Sequence, residues 1–256
     1  MRSSRSDGPW RRIWPVSADS DPGDSRRVGS TFADVVRRRR MVRSFTDQPV
    51  DPAVVRSLIR AAQRSPSAGN TASLRFLVLD EPATVARYWD VTLPDERRNA
   101  FRWSRLLDAP VLIVPCCSAE AYVRRYAESD KAATGLGVST SAWRVPYWYV
   151  DGGAAVMSLL LGAVDAGLGA LFFGQFDHTD AVKRAFAIPD EYEPLGTVAV
   201  GHPAGDDPDG RSSERTRPSL DEVIHRGTWR AGSTETEVGD SLRPGSDTVP
   251  RTTGPG

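Results

Sequence analysis

An α+β domain built around a mixed sheet is the fold class that this 256-residue sequence predicts. Three observations predict it. Short continuous apolar runs alternate with stretches in which apolar residues recur at helical spacing. No repeated βαβ unit forces a doubly wound parallel sheet. No self-similarity recurs at a period of about 20 to 50 residues, which excludes a solenoid or a propeller.

Each element has a local cause. Thr31 followed by Asp34 is a capping box, and Phe32, Val35 and Val36 give the helix behind it an apolar face. Asp51-Pro52 pairs an N-cap with proline at the first helical position; Val54, Val55, Leu58, Ile59 and Ala62 then repeat at helical spacing. The runs at 76–79 and 111–114 are continuously apolar and bounded by polar residues or proline, which suits buried strands. A helix over 151–166 is apolar nearly all round, so burial on more than one side is expected. Gly167-Leu168-Gly169 lacks the third glycine of a dinucleotide-binding turn and reads as a helix terminus. Strands are expected at 170–173 and 197–200, helices at 180–186 and 219–225.

Composition narrows the function. The 33 basic residues balance the 33 acidic ones, which argues against a general nucleic-acid binder. All but two of the basic residues are arginine, the exceptions being Lys131 and Lys183. The most apolar stretch, 152–174, carries Asp165 and is rich in Gly and Ala, so it reads as a buried helix rather than a membrane span. Cys116 and Cys117 are adjacent and poorly placed for a structural disulfide, which predicts a reduced, cytoplasmic protein. His178, His202 and His225 are far apart and no Cys-x-x-Cys occurs, so no metal site is expected. Neither a Gly-x-Ser-x-Gly elbow nor a phosphate-binding P-loop is present. Residues 1–29 and 231–256 lack any apolar periodicity and are expected to be disordered extensions of one domain at 30–230.

Three segments stand out. Arg39-Arg40-Met41-Val42-Arg43-Ser44-Phe45 follows the first helix, and its guanidinium forks suit a phosphate or a carbonyl that gains negative charge. An arginine run is also commonly a solvated face. Ser65-Pro66-Ser67-Ala68-Gly69-Asn70 is a turn of small residues that lets backbone approach a planar ligand. Arg215-Thr216-Arg217-Pro218 lies far along the chain. In order, with Pro146-Tyr147-Trp148 leading through Asp151-Gly152-Gly153 into the long helix, these segments resemble the nitroreductase family of FMN-dependent oxidoreductases. The resemblance covers 31–229.

That resemblance implies a three-layer α+β fold dimerising through long central helices, with two FMN sites at the subunit interface. It assigns Arg39, Arg40 and Met41 to the phosphate and ribityl end of FMN and Arg43 to the pyrimidine edge. Pro66, Ser67, Ala68 and Asn70 come from the partner subunit, Phe172, Phe173, Gly174 and Gln175 lie along the ring with the Gly174 amide near N5, and Arg215 and Arg217 close on the phosphate. No titrating side chain is required, because the flavin does the chemistry. Hydride from NAD(P)H would pass to a flat, electron-poor nitroaromatic or quinone by a ping-pong mechanism. Dehydrogenases, dehalogenases and non-catalytic flavin binders share the pattern. The chain departs from the family after Asn70, where Gln-Pro-Trp is replaced by Thr71-Ala72-Ser73. The segment 122–148 interleaves aromatic and basic residues; Tyr126, Lys131 and Trp148 are its candidate substrate contacts, and packing at a dimer interface is the alternative role.

Overall fold

The computed structural model describes residues 31–207 and 215–229, and the two extensions expected to be disordered lie outside the described residues. The chain divides into two compact units at Pro208/Asp209, so the predicted 30–230 domain spans both. In the second unit, helix α8 (Leu220–Val223) starts at a Ser219/Glu222 capping box. The rest of the fold belongs to the first unit.

Helix α1 (Phe32–Arg38) begins where the capping box predicts, with the Thr31 hydroxyl accepting from the Asp34 amide at 3.2 Å. Helix α2 (Pro52–Gln63) starts at its Asp51 cap, and strands β1 (Arg75–Leu79) and β2 (Val111–Cys117) contain the expected apolar runs. Between them lie α3 (Pro82–Thr92) and the short α4 (Asp95–Arg98), and α5 (Ala119–Tyr126) follows β2. Helix α6 (Tyr147–Asp165) starts four residues before the expected 151, directly after Pro146. It stops as predicted: Gly167 has φ of 76°, and Leu168 donates back to the Ala163 carbonyl at 2.8 Å. Strand β3 (Gly169–Phe173), helix α7 (Thr179–Ala185), the two-residue β4 (Glu193–Pro194) and β5 (Thr197–Gly201) complete the unit.

The strands form one five-stranded sheet in the order β1-β2-β5-β3, with β4 also on β2. All its ladders are antiparallel. The expected mixed character is confined, among the described residues, to one parallel bridge between Met41 and Ala170. Alternate residues of the central strands face opposite layers. Val111, Ile113, Val198 and Val200 pack with Leu58 of α2 and Leu159 and Ala163 of α6. Leu112, Val114 and Ala199 pack with Tyr88 of α3, Val182 of α7 and Phe45. Each fully buried leucine in such layers contributes about 2 kcal/mol of transfer free energy. Helix α6 is long and apolar enough to cross a membrane by length and composition, yet its Leu159 and Ala163 are fully buried in this core. One strip of α6 stays open in the single chain: Tyr149, Val150 and Met157 are each about half exposed (50%, 52% and 46%).

Candidate functional site

The segment after α1 leaves the helix in an extended conformation at Arg39 and runs beside β3. The Val42 amide donates to the Ala170 carbonyl at 3.0 Å, and the buried Val42 side chain anchors the ledge to the core. Arg40 is exposed and Arg39 half-buried, and neither guanidinium has a partner among the described residues. The Met41 side chain packs on the core. Arg43 is already engaged: a guanidinium nitrogen donates to the Met41 carbonyl at 3.1 Å, and the group lies 5.2 Å from the Trp103 ring centroid. Its amide donates to Asp207 at 3.1 Å. Next to it, the Ser44 hydroxyl and Arg105 both donate to Asp206 and hold that carboxyl below its usual range.

The far end of β3 presents the second group of predicted residues. Phe172 is partly buried in one core layer, while Phe173 belongs to the other and stacks on Trp89 at 5.9 Å and 9°. Gly174 is exposed. The Gln175 side chain turns inward, donating to the Thr197 hydroxyl at 3.0 Å. Thr197 also pairs with the Tyr88 hydroxyl at 2.6 Å, and burial pushes the Tyr88 phenol up to about 12. Of these four residues Gly174 alone is exposed, with the Phe176 ring 3.1 Å from where its Cβ would stand; Phe173 and Gln175 spend their side chains on the interior.

The loop after α2 is a separate construction. Gly69, Asn70 and Ala72 have φ of 64°, 53° and 48°, a left-handed series that costs free energy at the non-glycine positions. Hydrogen bonds hold it. The Asp151 carboxylate, near the start of α6, accepts from the Ala68 amide at 2.8 Å and from the Tyr122 hydroxyl at 2.7 Å, both on one oxygen. Burial and that carboxylate raise the Tyr122 phenol above its ordinary value. Arg125 of α5 donates to the Gly69 carbonyl at 2.9 Å, and Asp130 grips the same guanidinium through two bonds of 2.7 and 2.8 Å. Ser67 accepts from the Ala72 amide at 3.1 Å. Pro66 and Asn70 remain exposed. A side chain at Gly69 would meet the Tyr126 ring within 2.8 Å, so space and backbone angle both require glycine there.

Beside this loop lies a cleft of about 480 Å³ lined by Ala68, Tyr126, Leu136, Ala142, Trp143, Arg144, Val145 and Tyr147. Lys131 stands 5.9 Å above the Tyr126 ring, near the cleft but outside its lining. Trp148 does not line the cleft; it is buried against Tyr122 and Trp143, each at 6.0 Å. A second cleft, of about 360 Å³ and lined by Asp47, Val85, Trp89 and Asp108 among others, contains none of the predicted site residues.

Within one chain the predicted residues fall into two separate groups. Residues 39–43 and 172–175 share β3, whereas 66–70 cluster with α5 and the start of α6. Arg215 and Arg217 belong to the second unit and are exposed there. Asp151 and Arg125, which the sequence singles out only as members of longer segments, hold the loop's backbone; an acid at the head of so apolar a helix is itself a signal. The open Arg39 and Arg40 guanidinium groups and the exposed Gly174 fit a phosphorylated flat cofactor; the committed side chains of Arg43 and Gln175 fit it only after rearrangement.

Comparisons with known proteins bear on the family and the fold. A protein of Methanothermobacter thermautotrophicus described as an NADH dehydrogenase/NAD(P)H nitroreductase is 24% identical over 175 residues, spanning 67% of this chain and 76% of its own. An NADPH-dependent oxidoreductase of Staphylococcus epidermidis is 23% identical over 201 residues, spanning 77% of this chain and 74% of its own. A nitroreductase family protein of Streptococcus pneumoniae has the same fold, with a TM-score of 0.58 at 22% identity, covering 77% of this chain and 100% of that one. A protein of Desulfovibrio desulfuricans described as a nitroreductase and solved in complex with FMN gives 0.55 at 22% identity, covering 78% and 99%. The sequence profile of the nitroreductase family matches residues 36–202, more than half of the chain. On that match, and on a fold shared with several solved relatives, the chain belongs to the nitroreductase family.

Proposed function

We propose that the protein is an FMN-dependent oxidoreductase that uses NAD(P)H and reduces a flat, electron-poor acceptor such as a nitroaromatic or quinone by a ping-pong mechanism. The observation that carries this reading is the pair of guanidinium groups at Arg39 and Arg40, without partners among the described residues, on a ledge bonded to the strand that leads to the exposed Gly174. An FMN-bound relative of the same fold supports it. Bound FMN would supply the hydride-accepting N5. The chain's part is to bind and orient. Arg39 and Arg40 neutralise the phosphate, Arg43 supplies positive charge at the pyrimidine edge, and Gly174 leaves the ring plane unobstructed. Arg215 and Arg217 are assigned to the phosphate in the same reading.

The site is completed by a second copy of this chain, which brings Pro66, Ser67, Ala68 and Asn70 to the cofactor. The supporting feature is an exposed apolar face: Phe32 and Val36 on α1 are 75% and 46% exposed, and Val150 and Met157 on α6 accompany them. Two buried free thiols, Cys116 and Cys117, both raised to about 12 by burial, suit a reduced cytoplasmic setting.

The test is the visible spectrum of the purified protein before and after anaerobic NADPH. Oxidised-flavin bands that bleach are the expected result. Bands that persist would favour a flavin binder or a dehydrogenase, and no flavin even after reconstitution would overturn the proposal. Arg43→Ala and Arg217→Ala should each lower FMN retention; full occupancy in both would overturn the residue assignments while leaving the family intact.

A further inference from the structure

The cleft beside the Ala68 loop has a chemistry of its own. Three of its walls are the rings of Tyr126, Trp143 and Tyr147, with Leu136, Val145, Ala142 and Ala68 filling the spaces between them. Tyr126 and Trp143 meet edge to face at 4.6 Å and 75°, which fixes both rings. Arg144 is the single charged residue in the lining. Its guanidinium has no partner among the described residues, whereas neighbouring Arg125 is consumed by Asp130, Glu128 and the Gly69 carbonyl. Lys131 adds a second positive charge above Tyr126. No carboxylate lines the cleft; Asp130 and Glu128 beside Lys131 pair with Arg125, so the charge offered inside the cleft is that of Arg144.

We infer that this cleft selects planar aromatic acceptors carrying an anionic substituent, a carboxylate being the type case, and that Arg144 is the residue that reads the charge. The inference rests on the oxidoreductase reading for calling the ligand an acceptor, but binding can be measured without turnover. The rings take the flat body of the ligand by stacking, and Arg144 pairs with the anion at the mouth, where the exposed guanidinium reaches it without being desolvated beforehand.

Quenching of tryptophan fluorescence in the full chain, titrated with 4-nitrobenzoate and with its uncharged counterpart 4-nitrobenzamide, tests this. The benzoate should bind about three- to tenfold more tightly, the range of a partly screened charge-assisted contact, and added salt should shrink the difference. Arg144→Gln should bind both probes equally, and Arg144→Lys should restore part of the preference. Equal binding by the unaltered protein, a preference that survives Arg144→Gln, or no binding of either probe would each overturn the inference. Flavin that bleaches with NADPH alongside equal probe binding would remove the anion site and spare the oxidoreductase reading. Arg144-dependent benzoate binding to a protein that takes no flavin would do the reverse.

Discussion

The arginine ledge at 39–43 and the small-residue loop at 66–72 are assigned to one cofactor, yet they are built on opposite principles. The loop is closed on itself. Asp151, Arg125 and Ser67 take up its amide and carbonyl groups, and that bonding offsets the departures into left-handed backbone at Gly69, Asn70 and Ala72. The ledge is tied down by the Val42 amide on β3 and by the Val42 and Met41 side chains in the core, and among the described residues leaves the Arg39 and Arg40 side chains unspent. A ligand would gain its charge pairing at the ledge and its shape selection at the loop. Stability and binding should therefore respond to different residues.

The largest effect should come from breaking the loop's anchor. Asp151→Ala leaves the Tyr122 hydroxyl and the Ala68 amide without their acceptor and should cost about 3 kcal/mol in urea unfolding. Asp151→Asn, which keeps an acceptor in place, should recover a large part of that loss. Unfolding within about 0.5 kcal/mol of the unaltered protein for Asp151→Ala would remove the distinction between the two regions.

Alkaline pH probes the packing behind each. Tyr88 lies behind the Phe173 end of β3, where its hydroxyl pairs with Thr197, and burial raises its phenol from about 10 when unfolded to about 12 when folded. Between those values the unfolded chain holds fewer protons. Stability is thus fully present below 10 and falls as pH rises through the window, by roughly 2 kcal/mol for this group. Tyr88→Phe should flatten that fall, measured as melting temperature against pH. Tyr122→Phe should flatten the share that belongs to the loop.

Gly69→Ala should cost about 1 to 2 kcal/mol through its positive φ, and more if the Tyr126 ring cannot move aside. The same change in the ledge's own currency is the double variant Arg39→Ala with Arg40→Ala. It should leave unfolding within about 0.5 kcal/mol while weakening FMN binding about tenfold or more, read from flavin fluorescence on titration. Equal losses of stability and affinity in that variant would mean that the ledge is structural after all.

Much of this was legible in the residues. Thr31 with Asp34, and Asp51 with Pro52, placed the first two helices because a cap is a local arrangement of a few neighbouring groups. The arginine run and the small-residue turn singled out the two regions that the proposal assigns to the cofactor. The start of α6 was not legible, because its first turn is a run of aromatic residues without a side-chain cap, and Trp148 there packs on Tyr122, 26 residues away. The same aromatic cluster takes Trp148 out of the cleft. Helices α3 and α5 were passed over because their periodicity is mixed with charge, and packing on the sheet and on the Ala68 loop decides them. Asp151 was quoted only as part of a motif, since its partners, Ala68 and Tyr122, stand 83 and 29 residues away.

The sequence by itself determined the α+β class, the capped helices, the buried central strands and the family, all of which follow from local patterning and from the order of short segments. Tertiary structure alone decided that the ladders are antiparallel, that Phe173 and Gln175 face inward, that Arg125 and Asp151 hold the loop, and that Arg144 stands unpaired at an aromatic cleft. The physical reason is range. A cap or an apolar stripe is settled by groups within a few residues of one another, whereas a carboxylate's partners or a guanidinium's freedom depend on segments that meet only when the chain is folded.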